Sequence, residues 1–343
     1  AVDVETGERV WHYQMVHHGL WDYDPPAAPN VLDVTVDGRR VKAIAQVTKQ
    51  AFVFTFDRQT GEPIWPIEER PVAASPVPGE IAAATQPFPT RPAPFDLQGI
   101  TVDDLIDFTP ELRAEAEEIA SGFVYGPMFT PPTVRDDRPG GTQGTILIPG
   151  WVGGANWGGA AVDPETGILY VPSVTSPNVT ALVPPENPDS SDFRYVRGLP
   201  REVPMPGGLP LLKPPYGRIT AIDMNTGGHL WMKANGPGPR DHPALADLEL
   251  PWLGQRGRPA PMLTKTLLFV GEGSEGALSI LPIAGGPMFR AWDKRTGDVV
   301  WEMELDAGTS GAPMTYMADG KQYIVVGIGE ANRPAEFIAL SLP

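Results

Sequence analysis

Cysteine is absent from the 343 residues. That excludes disulfides and thiolate metal sites and leaves the redox compartment undetermined. Positive charge is scarce: 26 Lys and Arg stand against 42 Asp and Glu, for a formal net charge of −16. The acidic excess is spread along the chain rather than gathered into a tail. It argues against nucleic acid and against an anionic membrane surface as partners. Long apolar runs are also missing, and none approaches the roughly 20 residues that cross a bilayer as a helix. The opening residues fall straight into a repeated motif, so the chain is expected to begin in mid-architecture with no signal peptide of its own.

Turn-forming residues are abundant. There are 38 glycines and 41 prolines, nearly a quarter of the chain. They punctuate short apolar runs at 41–47, 145–149 and 323–328, which reads as a turn-rich all-β domain with long loops. One pattern recurs: Asp, two residues, Thr-Gly, three residues, Trp. It occurs as Asp3, Thr6-Gly7, Trp11 and as Asp57, Thr60-Gly61, Trp65. It returns as Asp223, Thr226-Gly227, Trp231 and as Asp293, Thr296-Gly297, Trp301. A degenerate copy, Asp163, Thr166-Gly167, Tyr170, puts Tyr one residue early.

The motif is a hairpin in physical terms. The Asp side chain caps its own turn, the Gly supplies φ > 0, and the Trp packs a large face against a neighbour. Copies about 50–70 residues apart indicate the blades of a β-propeller, and about four to five blades are expected here. Two Pro-rich excursions, 66–99 and 184–215, interrupt the blade pattern, and 109–120 reads as a short helix capped by Thr109 with Pro110 in its first turn. No linker divides the chain, so residues 1–343 are expected to form a single domain.

Three clusters carry chemistry. The densest runs His17-His18-Gly19-Leu20-Trp21-Asp22-Tyr23-Asp24. It follows a repeat Trp, where a blade strand is expected to run inward. Metal binding through His17, His18 and an Asp, general-base work by a carboxylate, and a hydrogen-bonded structural loop are all open. Lys49 ends one apolar strand just before another. It either reaches the surface along its stem or is buried against an anionic or carbonyl partner. The run Gly153-Gly154-Ala155-Asn156-Trp157-Gly158-Gly159 permits close backbone approach to a flat ligand, or tight packing at a propeller axis.

As an ordered set, these segments resemble the membrane-associated PQQ (pyrroloquinoline quinone) glucose dehydrogenases and their relatives. The likeness runs through His17 to Asp24, Thr48-Lys49, Thr85-Gln86-Pro87-Phe88, Phe129-Thr130-Pro131-Pro132, Asn156-Trp157-Gly158-Gly159 and Thr315-Tyr316. It implies an eight-bladed quinoprotein β-propeller of which this chain supplies about half, the C-terminal half, in the periplasm and associated with a membrane. It also implies Asp22 as catalytic base beside a divalent ion, usually Ca2+, so that Asp22 is a metal ligand too. Lys49 would be the lysine that hydrogen-bonds the quinone oxygens, and Asn156 and Trp157 would line the PQQ site. The implied partners are a sugar or alcohol substrate, a ubiquinone or cytochrome electron acceptor, and an N-terminal half of the same propeller that supplies the remaining blades and metal ligands.

There are departures. Gly19 stands where the family usually has Asp. The segment 271–286 lacks a family Asp, for which Glu272 and Glu275 are the available substitutes. A non-catalytic scaffold propeller of the same repeat class is the competing function. It would share the turns but has no reason to keep Trp21-Asp22 and Lys49.

Overall fold

The repeated turns form as their residues dictate. In a computed structural model of the chain, which describes residues 1–198, 203–274, 285–330 and 333–342, each Thr-Gly glycine donates its N–H to the carbonyl of the motif Asp. The distances are 2.8 Å for Gly7, Gly61 and Gly297 and 2.7 Å for Gly227. The Asp carboxylate accepts backbone N–H groups inside the turn, as from Gln59 to Asp57 and from Asn225 to Asp223. The glycines sit at φ between 71° and 79°, a region that costs a residue with a Cβ.

Four antiparallel sheets make up the main architecture: the second and third contain these hairpins, and the first ends at one. The first consists of Asn30–Val36, Arg39–Val47 and Val53–Asp57. The second is ordered Gly228–Ala234, Gly217–Asp223, Ile168–Val174, Ala161–Asp163. The third runs Pro261–Leu263, Leu267–Gly271, Met288–Asp293, Val299–Glu304. The fourth is Met314–Ala318, Lys321–Glu330, Arg333–Ser341.

Strand alternation puts apolar residues on the sheet faces, and successive sheets cover one another's facing sides. Leu32, Val34, Ala43 and Val47 of the first sheet pack on Leu169, Val171, Ile222 and Met224 of the second. Tyr170, Ile219 and Ala221 pack on Leu268, Val270 and Trp292 of the third. Phe269 and Phe289 then meet Val326 and Ile328 of the fourth. Sequential sheets stacked face to face in this way are the blades of a propeller, as the repeats predict.

The repeat Trp closes the joint between blades. Trp11 covers the turn of the first sheet: a Cβ on Gly61 would stand 2.7 Å from the indole, and Trp11 Nε1 donates to Arg58 O at 3.1 Å. Trp231 repeats this on the third sheet, 2.7 Å from a Cβ on Gly297 and with Nε1 donating to Lys294 O at 3.2 Å. The degenerate copy differs. Asp163 and Gly167 join the first two strands of the second blade, whereas Asp223 and Asp293 join the last two of theirs. The same turn chemistry therefore serves two positions in a blade, and Tyr170 is fully buried as a partner for Trp231, 5.9 Å between ring centroids.

Most of the remaining chain makes an inserted layer. The excursion 66–99 contains a hairpin, Ile67–Pro71 with Thr85–Pro89. The helix spans Pro110–Ser121, with the Thr109 side chain accepting from Leu112 N, and it buries Leu112, Ala116 and Ala120. Thr133–Val134, Thr145–Leu147, Asn178–Val183 and Val196–Arg197 form a small sheet beside it. The second excursion, 184–215, contributes Leu209, Leu211 and Leu212 to the same core.

Candidate active site

The segment between Trp11 and the first strand carries the dense polar cluster. It was expected on an inward blade strand. It is irregular instead, and the strand begins only at Asn30. Its shape is set by anchors from elsewhere. Gln86, fully buried on the Thr85–Pro89 strand, clamps the loop backbone at His17: His17 N donates to Gln86 Oε1 at 2.9 Å and Gln86 Nε2 donates to His17 O at 2.6 Å. The His17 ring lies 2.9 Å from Glu69 Oε1, and that contact, foremost among its causes, holds the Glu69 carboxyl below its ordinary value.

Trp21 and Tyr23 are the deeper anchors. Trp21 is fully buried and donates from Nε1 to Thr130 O at 2.8 Å. Tyr23 donates from its hydroxyl to Pro149 O at 2.6 Å, and burial pushes its phenol far above the ordinary value. Both rings meet Phe129 edge-on, at 5.1 and 5.8 Å. Between these two fixed side chains Asp22 takes φ 61°. A left-handed non-glycine residue costs of order 1–3 kcal/mol unless its surroundings impose it. The two buried neighbours do so here and turn the Asp22 side chain out to 60% exposure.

Lys49 reaches the same place from the turn between Arg39–Val47 and Val53–Asp57. Its side chain is only 8% exposed, and its ammonium donates to Asp22 O at 2.9 Å, Asp22 Oδ2 at 3.2 Å and Asp24 Oδ1 at 2.6 Å. A buried cation requires such partners. The glycine-rich run walls its stem: a Cβ on Gly153 would stand 2.5 Å from Lys49 Cβ, and Gly154 N donates to Lys49 O at 2.9 Å. Asp22, Tyr23 and Asp24, with Tyr13, Met15 and Val16, line a cleft of about 450 Å³. That volume suits a small organic ligand.

The donor set fits a quinone and a metal ion, the two groups that the family resemblance implies, unequally. A buried ammonium beside an open cleft fits a ligand carbonyl, as a quinone cofactor requires. For a metal the fit is incomplete. Asp22 and Asp24 offer hard carboxylate oxygens, but Ca2+ takes about 6–8 oxygens, and the described residues hold no group of three or more His, Asp or Glu able to bind an ion. The His17 ring is paired through Nε2 with Glu69 at 2.9 Å.

Other expected residues stand elsewhere. Asn156 turns back into its own loop, with Nδ2 donating to Val152 O at 2.5 Å and Oδ1 accepting from Trp157 N at 2.7 Å, and Trp157 is 81% exposed. It is the backbone of that run, through Gly153 and Gly154, that touches Lys49. Glu272 is not at a substrate mouth. It is buried in an ion pair with Arg290 at 2.7 Å, and Glu275 lies outside the described residues. Asp24 and Gln86 were not singled out by sequence. Asp24 had one usable signal, being the second carboxylate of the same polar cluster, two residues after Asp22.

Face-stacked blades and a carboxylate-clasped lysine beside a cleft define a propeller of the quinoprotein type. The chain belongs to that family: residues 1–324 match the PQQ glucose/ethanol/alcohol dehydrogenase β-propeller domain. It is 31% identical to the quinoprotein glucose dehydrogenase of Escherichia coli (strain K12), over 96% of this chain and 41% of that protein. It is likewise 31% identical to the glycerol dehydrogenase large subunit of Gluconobacter thailandicus, over 96% of this chain and 46% of that subunit. Among solved structures it shares its fold with the quinohemoprotein alcohol dehydrogenase from Comamonas testosteroni, at TM-score 0.55 and 20% identity, over 99% of this chain and 41% of that one. The chain thus spans less than half the length of these relatives, in each of which the matched region is part of one longer chain.

Proposed function

We propose that this chain forms part of a PQQ-dependent dehydrogenase that oxidises a sugar or alcohol hydroxyl and passes the electrons to a quinone or cytochrome acceptor. The observation that supports it most is the buried Lys49 ammonium, held by Asp22 and Asp24 beside the cleft. A scaffold propeller needs the turns and the docking tryptophans but gains nothing from a desolvated lysine and two exposed carboxylates at one point.

Bound PQQ would supply the electron sink for the hydride. Asp22 is the base: its exposed carboxylate accepts the proton of the substrate hydroxyl. Lys49 holds and polarises a cofactor carbonyl through an N–H directed at the oxygen. The backbone of the 150–159 run, at Gly153 and Gly154, walls the Lys49 side of the cofactor, whereas the Asn156 side chain is held within its own loop and Trp157 is exposed. Asp22 is also proposed as one oxygen ligand of Ca2+, with the rest of the shell drawn from beyond the described residues. The family's named activities on glucose and glycerol point to a hydroxyl-rich substrate. A periplasmic setting follows from the same kinship, and no described helix is long and apolar enough to cross a membrane. A separate N-terminal half as partner chain has no support in the relatives, in which the matched region lies within one longer chain.

The protein charged with PQQ and Ca2+ is expected to reduce an artificial electron-accepting dye with glucose or glycerol. No reduction with these or with ethanol, together with no quinone absorbance retained after dialysis, rejects the proposal.

A further inference from the structure

We infer that Gly19 is a specificity-determining residue: its missing side chain keeps open a part of the Asp22 cleft that admits a ring-shaped polyol, so that the site favours a hexose over a three-carbon polyol. The inference rests on the dehydrogenase reading above and names the substrate class of that same site.

The other glycines near the site are glycine for structural reasons. Gly153 and Gly159 sit at φ 75° and 61°. A Cβ on Gly154 would stand 2.9 Å from Ala51 Cβ, and one on Gly158 would stand 2.5 Å from Pro259 O. Gly19 has neither reason. Its backbone is outside the left-handed region. A Cβ there would meet a single atom within 4 Å, Cγ1 of Val16 at 3.4 Å, which is ordinary van der Waals contact. Yet Gly19 lines the same cleft as Val16 and Asp22. A glycine that neither backbone nor packing requires leaves room for a ligand to approach the chain closely.

The protein does not fill that room itself. The Tyr13 ring is held against Phe54 and Phe56, with centroids 6.0 and 4.9 Å away. Gln14 folds back on its own segment, Nε2 donating to Val16 O at 3.0 Å. The backbone behind these residues is fixed as well: Gln50 Nε2 donates to Met15 O at 3.2 Å, and Gln86 holds His17 on both sides. A cleft wall anchored at so many points cannot close over the gap.

The lining is amphipathic. Asp22 and Asp24 present carboxylates that are 60% exposed. Lys49 takes Oδ2 of the first and Oδ1 of the second, which leaves the other oxygen of each to accept from ligand hydroxyls. Met15, Val16 and Pro25 add apolar surface to the same cleft. A sugar ring matches both kinds of surface, with a C–H face for the apolar side chains and hydroxyls for the carboxylates. A three-carbon polyol has the hydroxyls but too little face to occupy the gap at Gly19.

The test uses the protein with its full chain, charged with PQQ and Ca2+, beside Gly19→Ala, Gly19→Val and Gly19→Leu. The wild type should prefer glucose to glycerol. The ratio of kcat/KM for glucose to that for glycerol should fall with side-chain size, about tenfold at leucine. The fall should lie in KM for glucose, as when ground-state contacts are lost. A second readout does not depend on turnover: in an Asp22→Asn background, adding Gly19→Leu should weaken glucose binding in calorimetry about tenfold. Gly19→Ala should keep or raise the urea midpoint, because the methyl meets no obstacle and the unfolded chain loses freedom. The inference is overturned if the wild type prefers glycerol, if the ratio is unchanged at leucine, or if both substrates lose rate together through kcat. A lowered midpoint in Gly19→Ala overturns it too, since the glycine is then structural. A wild-type protein that reduces the dye with neither substrate removes the dehydrogenase reading itself, whereas turnover with an unchanged ratio removes this inference alone.

Discussion

A Cβ on Gly153 would stand 2.5 Å from both Cβ and Cγ of Lys49. The glycine is therefore the wall that aims the lysine, and it also sits at φ 75°. Gly153→Ala should lose about 1–3 kcal/mol of stability from backbone strain and overlap. It should also weaken PQQ binding, because the stem must move. Urea denaturation and PQQ titration of the same variant measure the two losses.

Asp22→Asn should lower turnover by at least about 100-fold, the usual reach of a general base, while PQQ binding is largely kept. Single-substrate kinetics beside a PQQ titration separate these effects. Normal turnover in this variant would remove Asp22 as the base.

Tyr23 makes alkaline stability a readout of its burial. Its folded phenol titrates far above the ordinary value of 10.0, so its contribution is complete below about pH 10. It is lost as pH rises further, because the unfolded chain ionises there and the buried phenol does not, with a slope of up to about 1.4 kcal/mol per pH unit. Tyr23→Phe should cost about 1 kcal/mol at pH 7 through the lost bond to Pro149. The gap to the wild type should narrow above pH 10 in denaturant midpoints measured at both values.

Glu272 and Arg290 are each 3% exposed at the side chain, and the guanidinium also lies 4.8 Å above the Trp252 ring. Arg290 Nε also donates to Glu302 Oε2 at 2.9 Å, so Glu272→Ala should cost about 1.5–3 kcal/mol, the loss of one of two charged partners of a buried cation. Replacing both by Met should recover much of that loss. The relative rates on glucose and glycerol should not change in either variant. A reordered substrate preference would place Glu272 at the substrate mouth after all.

Trp231→Ala removes the half-buried ring that covers the Gly297 turn and should cost about 2 kcal/mol, less than a fully buried truncation. The loss should appear as a lower denaturation midpoint with PQQ affinity unaffected, since Trp231 belongs to the joint between the second and third blades.

The parts of the fold legible in sequence are those closed by short-range bonds. An Asp–Thr–Gly turn completes its hydrogen bonds within five residues, and the Thr109 cap does so within four, so each could be read one at a time. Which hairpin a turn serves was less accessible. Asp163 and Asp223 have the same local chemistry, yet they join different strand pairs, because only strand pairing across the blade distinguishes them. The loop at 12–29 escaped for a related reason: its course is held by Gln86, Thr130 and Pro149, none of which is nearby in sequence.

Of the site, the residues by themselves marked the His17–Asp24 cluster, Lys49 and the glycine-rich run as candidates with their roles open, and only the family resemblance implied Asp22 as the base and Lys49 as the quinone's partner. Sequence by itself determined that the chain is a turn-punctuated β protein with propeller repeats and a carboxylate-rich loop, since turn geometry, strand alternation and charge are local properties. It left Lys49 undecided between surface and interior. Only the tertiary structure decided that its ammonium is buried and that Asp24 shares it with Asp22, because that outcome depends on residues 27 and 25 positions away and on a glycine wall brought in from a different part of the chain. Desolvating a charge is unfavourable until all of those partners are in place together, and no segment read alone contains them.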